Sequence, residues 1–280
     1  MVDVSPRVAF QGELGAYSEE AVQRLFGDEA QPVAMRENRD VTRALAAGDV
    51  EYGVLPLENT LAGTVAASYD AIVAEPALRV RAECALPIHH CLLALPGATL
   101  DGIASVESHP VALAQCRAFL ERHPHAVPRA AYDTAGAARD VARAGDRTRA
   151  AIAGRAAARR YGLEPLALDI EDRPDNRTRF VALGREPAAL APGVDARTLL
   201  VVVTPNVPGA LLRLLEPLAA RELNLSKLES RPTGEAWTYR FVLEFEHRAG
   251  DPAAHDAVEA IRSVSKECVE LGTIARSAKR

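Results

Sequence analysis

The chain has 280 residues, 48% of them hydrophobic and 25% charged, with a formal net charge of −5. This composition excludes a disordered chain, and at about 150 residues per domain the length corresponds to roughly two domains. The negative balance argues against a broad electrostatic face for nucleic acid or anionic membrane, and no uncharged run approaches the ~20 apolar residues of a spanning helix.

The first 95 residues alternate short apolar runs with helical periods. Arg7 to Phe10 reads as a strand, and Ser18 as the N-cap of a helix carrying Ala21, Val22, Leu25 and Phe26. Gln31 to Met35 is a second strand, Asp40 to Ala47 a helix stopped near Gly48, Tyr52 to Leu57 a buried strand, and Thr64 to Ala74 a helix. Leu78 to Leu86 and Ile88 to Leu95 are extended and split by Pro87. A second run follows: strand Ala104 to Val106, helix Val111 to Leu120, strand Ala130 to Tyr132, helix Thr134 to Arg143, strand Ala150 to Ala153, helix Arg155 to Tyr161, strand Thr178 to Leu183. Such alternation predicts an α/β fold with mostly parallel sheets in two lobes, about 1–80 with 165–184 and about 81–164. Small-molecule sites often lie between lobes.

Residues 185–197 hold Pro and Gly breaks without an apolar period and read as a linker. Beyond them the pattern changes. Thr198 to Thr204 is a strand, Pro208 stands near N1 of a helix to about Arg221, Leu225 to Ser230 and Trp237 to Phe245 pair around Thr233-Gly234, Asp251 to Val264 is a helix, and Val269 to Ala275 a last strand. The order βαββαβ predicts a separate ferredoxin-like domain over 198–280.

The basic residues are 30 Arg and only 3 Lys, so any one Arg is weak evidence for an anion site. Cys84, Cys91, Cys116 and Cys268 have neither zinc nor redox spacing, and the amino terminus has no signal-peptide pattern. The expectation is a cytoplasmic protein with reduced thiols and no metal. His89-His90 opens a strand with at most one ring inward, where a satisfied structural role is the default. Cys116 reads as a small helix-face residue rather than a nucleophile.

Four stretches could carry chemistry. Asn176-Arg177-Thr178-Arg179-Phe180 places a hydroxyl between two guanidinium groups at a strand start, which equally fits a charged loop entering an edge strand. Pro56 to Val65 ends a strand in Glu58-Asn59-Thr60, then glycine and a helix start, where a ligand oxygen or a helix cap would serve. Gly12 to Ser18 follows the same logic without a dinucleotide fingerprint, which excludes a dehydrogenase. Ser108-His109-Pro110 repeats it in the second lobe.

In order and spacing these stretches resemble the prephenate dehydratase family from about residue 7 to residue 275. The residues are Gly12-x-x-Gly15-Ala16-Tyr17-Ser18-Glu19, Pro56-Leu57-Glu58-Asn59-Thr60, Ser108-His109-Pro110 with Ala112 to Cys116, Asp133-Thr134-Ala135, Ala151-Ile152-Ala153, Tyr161-Gly162-Leu163 and Asn176-x-Thr178-Arg179-Phe180. The tail resembles the family's ACT regulatory domain through Pro208-Gly209-Ala210-Leu211 and Asn224 to Pro232. The resemblance implies a catalytic domain over 1–184, built as two lobes of periplasmic-binding-protein type with the site in the cleft. It implies loss of carbon dioxide and the ring hydroxyl from prephenate to give phenylpyruvate, with no metal or organic cofactor.

The resemblance also implies roles. Thr178 hydrogen-bonds the departing hydroxyl, and Arg179 clamps the side-chain carboxylate. Asn59, Thr60, Ser108 and Gln115 hold the ring carboxylate as neutral donors, since charge leaves it in the transition state. Ala16, Tyr17, Ser18, Glu58, Gly63, Thr64, His109, Asn176 and Phe180 are expected around the substrate. In the tail, Pro208, Gly209, Ala210, Leu211, Leu212, Asn224, Leu225, Ser226, Glu229, Ser230, Arg231 and Pro232 are expected to hold phenylalanine as an allosteric effector in a homodimer or homotetramer. Three positions depart from the common pattern: Val111 stands where the family has Gln, Thr60 where it has Ser, and Ala16 where many bacterial members have Thr. Gly-Ala-Tyr-Ser also occurs in arogenate dehydratases, so the amino analogue of prephenate stays open as substrate. A catalytically silent amino-acid-binding protein is a further alternative. A preceding chorismate mutase segment is not expected, because Arg7 already begins the dehydratase pattern.

Overall fold

The computed structural model describes residues 5–233 and 238–276. The chain divides into two compact units, Met1–Tyr69 with Cys84–Val181, and Asp70–Glu83 with Ala182–Arg280. The 70–83 segment therefore groups with the carboxy-terminal unit, whereas the sequence reading placed it in the catalytic part, in the first lobe to about residue 80 and in the second from about 81.

From the amino terminus run β1 (Arg7–Gln11), α1 (Tyr17–Phe26), β2 (Gln31–Met35), α2 (Asn38–Ala47), β3 (Tyr52–Asn59), β4 (Gly63–Thr64), α3 (Ala66–Val73) and β5 (Arg79–Pro87). Then come β6 (Cys91–Ala94), β7 (Ser105–Ser108), α4 (Pro110–Gln115), α5 (Arg117–Arg122), β8 (Val127–Ala130), α6 (Thr134–Ala144), β9 (Arg149–Ala153), α7 (Arg155–Tyr161), β10 (Glu164–Ala167) and β11 (Arg177–Gly184). One sheet has the order β2-β1-β3-β11-β5 with β4 folded back on β3, and a second has the order β10-β6-β9-β7-β8. β1 is parallel to β2 and β3, and β7 to β8 and β9, while β6 is antiparallel to both its neighbours. The unbroken apolar run of β3 is explained by burial, since Val54, Leu55 and Leu57 are fully enclosed.

One core joins both sheets. Phe10, Val54 and Phe180 of the first pack in the same cluster as Cys91, Leu93 and Ala151 of the second, with Ala135 and Ala138 of α6. The small alanines let α6 and α7 approach their sheet closely, so the Ala richness of the sequence has a packing use here.

Several boundaries differ from the periodicity, each for a local reason. Ser18 is not the N-cap of α1; the helix begins at Tyr17 with Ala16 as N-cap. The helix expected from Thr64 begins at Ala66. The Asn59 side-chain oxygen accepts from the Leu61 and Ala62 N–H groups, which turns the chain back so that Gly63–Thr64 pairs with β3. The helix read over 111–120 is two helices, broken at Cys116 (φ −114°, ψ 26°). The strand read at 130–132 lies earlier, and β10 gave no signal because its residues are half-exposed or exposed.

The second unit contains β12 (Asp195–Val203), α8 (Ala210–Ala219), β13 (Asn224–Pro232), β14 (Tyr239–Arg248), α9 (Pro252–Val264) and β15 (Glu267–Ala275). Its sheet is antiparallel in the order β13-β14-β12-β15, the ferredoxin-like βαββαβ arrangement. Leu214 and Leu218 of α8 and Ala254, Ala257, Val258 and Ile261 of α9 pack on Leu200, Val202, Leu243 and Phe245. The four residues of α9 follow the i, i+3, i+4, i+7 spacing of one apolar helix face. β12 begins inside the expected linker. Pro208 is not at N1; Gly209 is the N-cap, at φ +76°, a left-handed conformation that glycine adopts without strain. The turn at Gly234 and the strand start at Trp237 lie outside the described residues. Among the described residues no helix is long and apolar enough to cross a membrane.

Candidate active site

A cavity of about 410 Å³ opens in the first unit where the ends of β1, β3 and β11 face α1, α4 and α6. Its wall includes Ala16, Tyr17, Ser18, Asn59, Gly63, Thr64, His109, Gln115, Thr178 and Phe180 from the expected set. Asn59 and Thr178, 119 positions apart, are brought together because β3 and β11 are neighbours in the sheet.

The turn from β1 to α1 is stapled across to the second sheet. Tyr132 Oη donates to Glu13 Oε1 at 2.5 Å, Arg139 Nη1 pairs with the same oxygen at 2.6 Å, and Tyr161 Oη donates to the Leu14 carbonyl at 2.6 Å. Gly12, at φ +114°, has room only for a hydrogen, since a Cβ would stand 3.0 Å from Asp133 Oδ2. The Ala16 side chain makes no cap hydrogen bond, so the first N–H groups of α1 stand at the cavity wall uncapped. A helix start of this kind attracts an anionic oxygen.

A hydrogen-bonded chain crosses the wall. Asn59 Nδ2 donates to Thr178 Oγ1 at 2.9 Å and to Asn176 Oδ1 at 2.8 Å, with the Arg177 carbonyl 3.1 Å away. Asn176 Nδ2 donates to Gln115 Oε1 at 3.1 Å. The same oxygen lies 2.9 Å from His90 Nε2. Asn176 itself is fully buried behind the wall and acts through its neighbours.

Four expected contacts fall elsewhere. Ser108 is fully buried, and its Oγ donates to the Ile152 carbonyl at 2.6 Å, so its hydroxyl is used within the sheet. Thr60 Oγ1 donates to the Asp175 carbonyl at 3.0 Å and accepts from the Arg177 N–H at 2.9 Å, which ties β3 to the entry of β11. Arg179 lies between Thr178 and Phe180 on a strand, and successive side chains take opposite faces. Since Thr178 and Phe180 line the cavity, Arg179 faces away, with its Nη1 3.7 Å from Glu58 Oε2. Glu58 is removed from the wall by the same alternation beside Asn59. The lining residues therefore include no Arg or Lys.

Three wall residues with titratable side chains were not assigned to the site from the sequence. His90 is 2% exposed, and burial holds its pKa below the ordinary histidine value, so the ring is neutral. Asp133 caps α6 by accepting from the Gly136 N–H at 2.7 Å, and burial raises its carboxyl pKa. Tyr132 stands beside it. Asp133 had a usable signal as a cap residue after a strand; the doublet His89-His90 could not say which ring turns inward. Burial also pushes the Cys116 thiol up, away from nucleophile chemistry. His89, Asp169 and Glu171 cluster at a separate cleft, where Glu171 already accepts from the His90 N–H at 2.9 Å and lies 2.8 Å from His89 Nδ1, and Arg155 holds Asp169 at 3.1 Å.

Residues 8–188 match the family described as prephenate dehydratase, and residues 198–263 match the ACT domain. The chain belongs to the prephenate dehydratase family. A prephenate dehydratase of Mycolicibacterium vanbaalenii is 35% identical over 95% of this chain and 89% of its own length. An arogenate dehydratase/prephenate dehydratase of Arabidopsis thaliana is 36% identical over 95% of this chain and 72% of its own. Among solved structures, the Arthrobacter aurescens prephenate dehydratase in complex with L-Phe has a TM-score of 0.89 at 33% identity, covering 98% of this chain and 91% of that one. A structure described as a novel type of quorum quenching acylase has a TM-score of 0.86 at 32% identity, covering 97% and 98%.

Proposed function

We propose that the cavity carries out the decarboxylative dehydration of prephenate to phenylpyruvate. The observation that carries this reading is the Thr178 hydroxyl. It accepts from Asn59 Nδ2 at 2.9 Å, so its own proton is left for another partner, at the cavity wall. Accepting from an amide also makes a hydroxyl a better donor. In the reaction the bond to the ring carboxylate breaks and releases carbon dioxide, its electron pair enters the ring, and the ring hydroxyl leaves with its own bonding pair, becoming water with a proton that solvent supplies. Aromatisation drives the step, so no covalent bond to the enzyme is needed. Thr178 hydrogen-bonds the departing oxygen, a contribution of ~10²–10⁴ in rate for general acid help.

The substrate is a dianion and the lining has no Arg or Lys. Its side-chain carboxylate is held at the start of α1, by the backbone N–H groups of Tyr17 and Ser18. Its ring carboxylate meets neutral donors, among them Gln115, which suits a charge that leaves in the transition state. Thr178→Ala should lower kcat by at least about tenfold in a folded protein, read as phenylpyruvate absorbance, and near-normal turnover would overturn the assignment.

Arogenate is the second reading, favoured by one observation: Asp133 offers a carboxyl on the wall for its ammonium group. Burial of that carboxyl, which favours its neutral form, weighs toward the keto acid. The ratio of kcat/KM for the two substrates decides, and an acyl-amide run alongside tests the activity named for the acylase structure.

The catalytic part takes residues 1–184 and the ACT domain 198–280, joined by 185–197. Phenylalanine binds at 208–212 and 224–232 where two copies meet, and the chain acts as a homodimer or homotetramer. In support, Leu211, Leu212, Val207 and Leu228 are exposed apolar residues on this small domain, Leu212 by 63%. Arg231 lies 3.9 Å from Asp70 within its own unit, so the effector carboxylate is met by backbone groups near Gly209. The four free thiols fit a cytoplasmic location.

A further inference from the structure

We infer that His90 is a positioning residue, whose Nε2–H fixes the Gln115 amide so that its NH₂ group faces the substrate. The inference rests on the proposed binding of an anionic substrate in this cavity.

Every orientation in the chain follows from one fixed end. The Leu61 and Ala62 backbone N–H groups can only donate, at 3.0 and 2.8 Å, so the Asn59 atom that they meet is the oxygen. Its nitrogen must then point to Asn176 and Thr178. The Asn176 atom facing it must be an acceptor, which turns the Asn176 nitrogen toward Gln115. The Gln115 atom there must in turn be its oxygen. That oxygen lies 2.9 Å from His90 Nε2, which therefore carries the proton. The neutral tautomer of a buried ring is thus set by a turn some thirty residues before it.

The far end of the chain is Gln115 Nε2. It makes no hydrogen bond to the described residues, and Gln115 lines the cavity. Its two N–H groups are the donors that Gln115 has left for the cavity it lines. Rotating the amide by 180° would present an oxygen to a carboxylate and place NH₂ against two N–H groups. Asn176 alone holds the amide by one bond; His90 supplies the second. Thr178 is not governed by His90, because Asn59 is held independently by its own turn. His90 therefore acts on binding of the substrate anion more than on departure of the hydroxyl.

The test compares three variants by KM and kcat with prephenate. A glutamine nitrogen can stand where Nε2 stands, and an asparagine nitrogen only where Nδ1 stands. His90→Gln should leave KM and kcat within about threefold of the parent, whereas His90→Asn and His90→Leu should raise KM about tenfold with kcat changed less than about threefold. Equal behaviour of His90→Gln and His90→Asn, or a loss confined to kcat, would overturn the inference. A second measurement stands apart from turnover. Nitrogen-15 NMR of the ligand-free parent should show His90 as the Nε2–H tautomer, and an Nδ1–H tautomer defeats the inference whatever the activity. An inactive parent with the Nε2–H tautomer would instead sink the functional reading and leave no carboxylate for Gln115 to bind.

Discussion

At the scale of single residues, the site works through buried groups whose protonation is set by their surroundings. Asp133 and His90 are both enclosed, and burial pushes both toward their neutral forms. Their effects on stability have opposite signs. The folded state holds the Asp133 proton more tightly than the unfolded chain does, so between the ordinary carboxylate value of about 3.8 and its raised folded pKa stability falls as pH rises. For His90 the folded pKa is the lower one, so stability is full above the unfolded value near 6.5 and falls as pH drops toward the folded pKa. Asparagine caps a helix as well as aspartate does. Asp133→Asn should therefore match or exceed the parent in stability at pH 7, by up to about 1 kcal/mol, with the difference shrinking at pH 4. Urea denaturation at the two pH values measures it, and a variant less stable at pH 7 than at pH 4, relative to the parent, contradicts the sign.

At the scale of elements, the β1–α1 turn, the turn after β3 and the alternation of β11 build the wall. The β1–α1 turn needs Gly12 at φ +114° with a carboxyl 3.0 Å from where a Cβ would be. Gly12→Ala should destabilise the fold by about 1–3 kcal/mol, seen as a lower urea midpoint at unchanged m-value. An unchanged midpoint would show that the turn can relax. On β11 the alternation is what separates Thr178 and Phe180 from Arg179. The family motif was legible in the sequence, but three adjacent letters do not say which faces inward. Strand parity relative to a sheet is fixed only when the covering helices are in place. For the same reason Thr60, next to the wall residue Asn59, serves the joint between β3 and β11.

At the scale of the whole molecule, the ACT domain carries exposed apolar side chains that a single copy leaves in water: Leu211 and Leu212 on α8, Val207 just before it and Leu228 on β13. If the chain forms the proposed oligomer with phenylalanine at its seam, Leu212→Glu should reduce it to a smaller species by light scattering and abolish inhibition by phenylalanine, with the dehydratase rate read alongside. Unchanged mass together with normal inhibition would place the effector elsewhere. A point change is a sharper test than cutting the chain near residue 190. Within the second unit Gly272 of β15 lies against the Val80 backbone, where an added Cβ would stand 2.3 Å from the carbonyl oxygen. A cut would strip that cover from 70–83.

The sequence by itself determined the class of fold, the order of most elements and the family. Those rest on local periodicity and on motifs whose order survives without three-dimensional information. It also isolated Thr178, Asn59 and Gln115 as residues of interest. Only the tertiary structure decided which neighbours of these residues face the cavity, that the wall has neither Arg nor Lys, and that His90 rather than Ser108 completes the polar chain. The physical reason is that a hydrogen bond is a property of pairs. Ser108 meets Ile152 because β7 and β9 are neighbours in a sheet, and His90 meets Gln115 because the end of α4 comes to lie beside the entry of β6, neither of which a single stretch of sequence records.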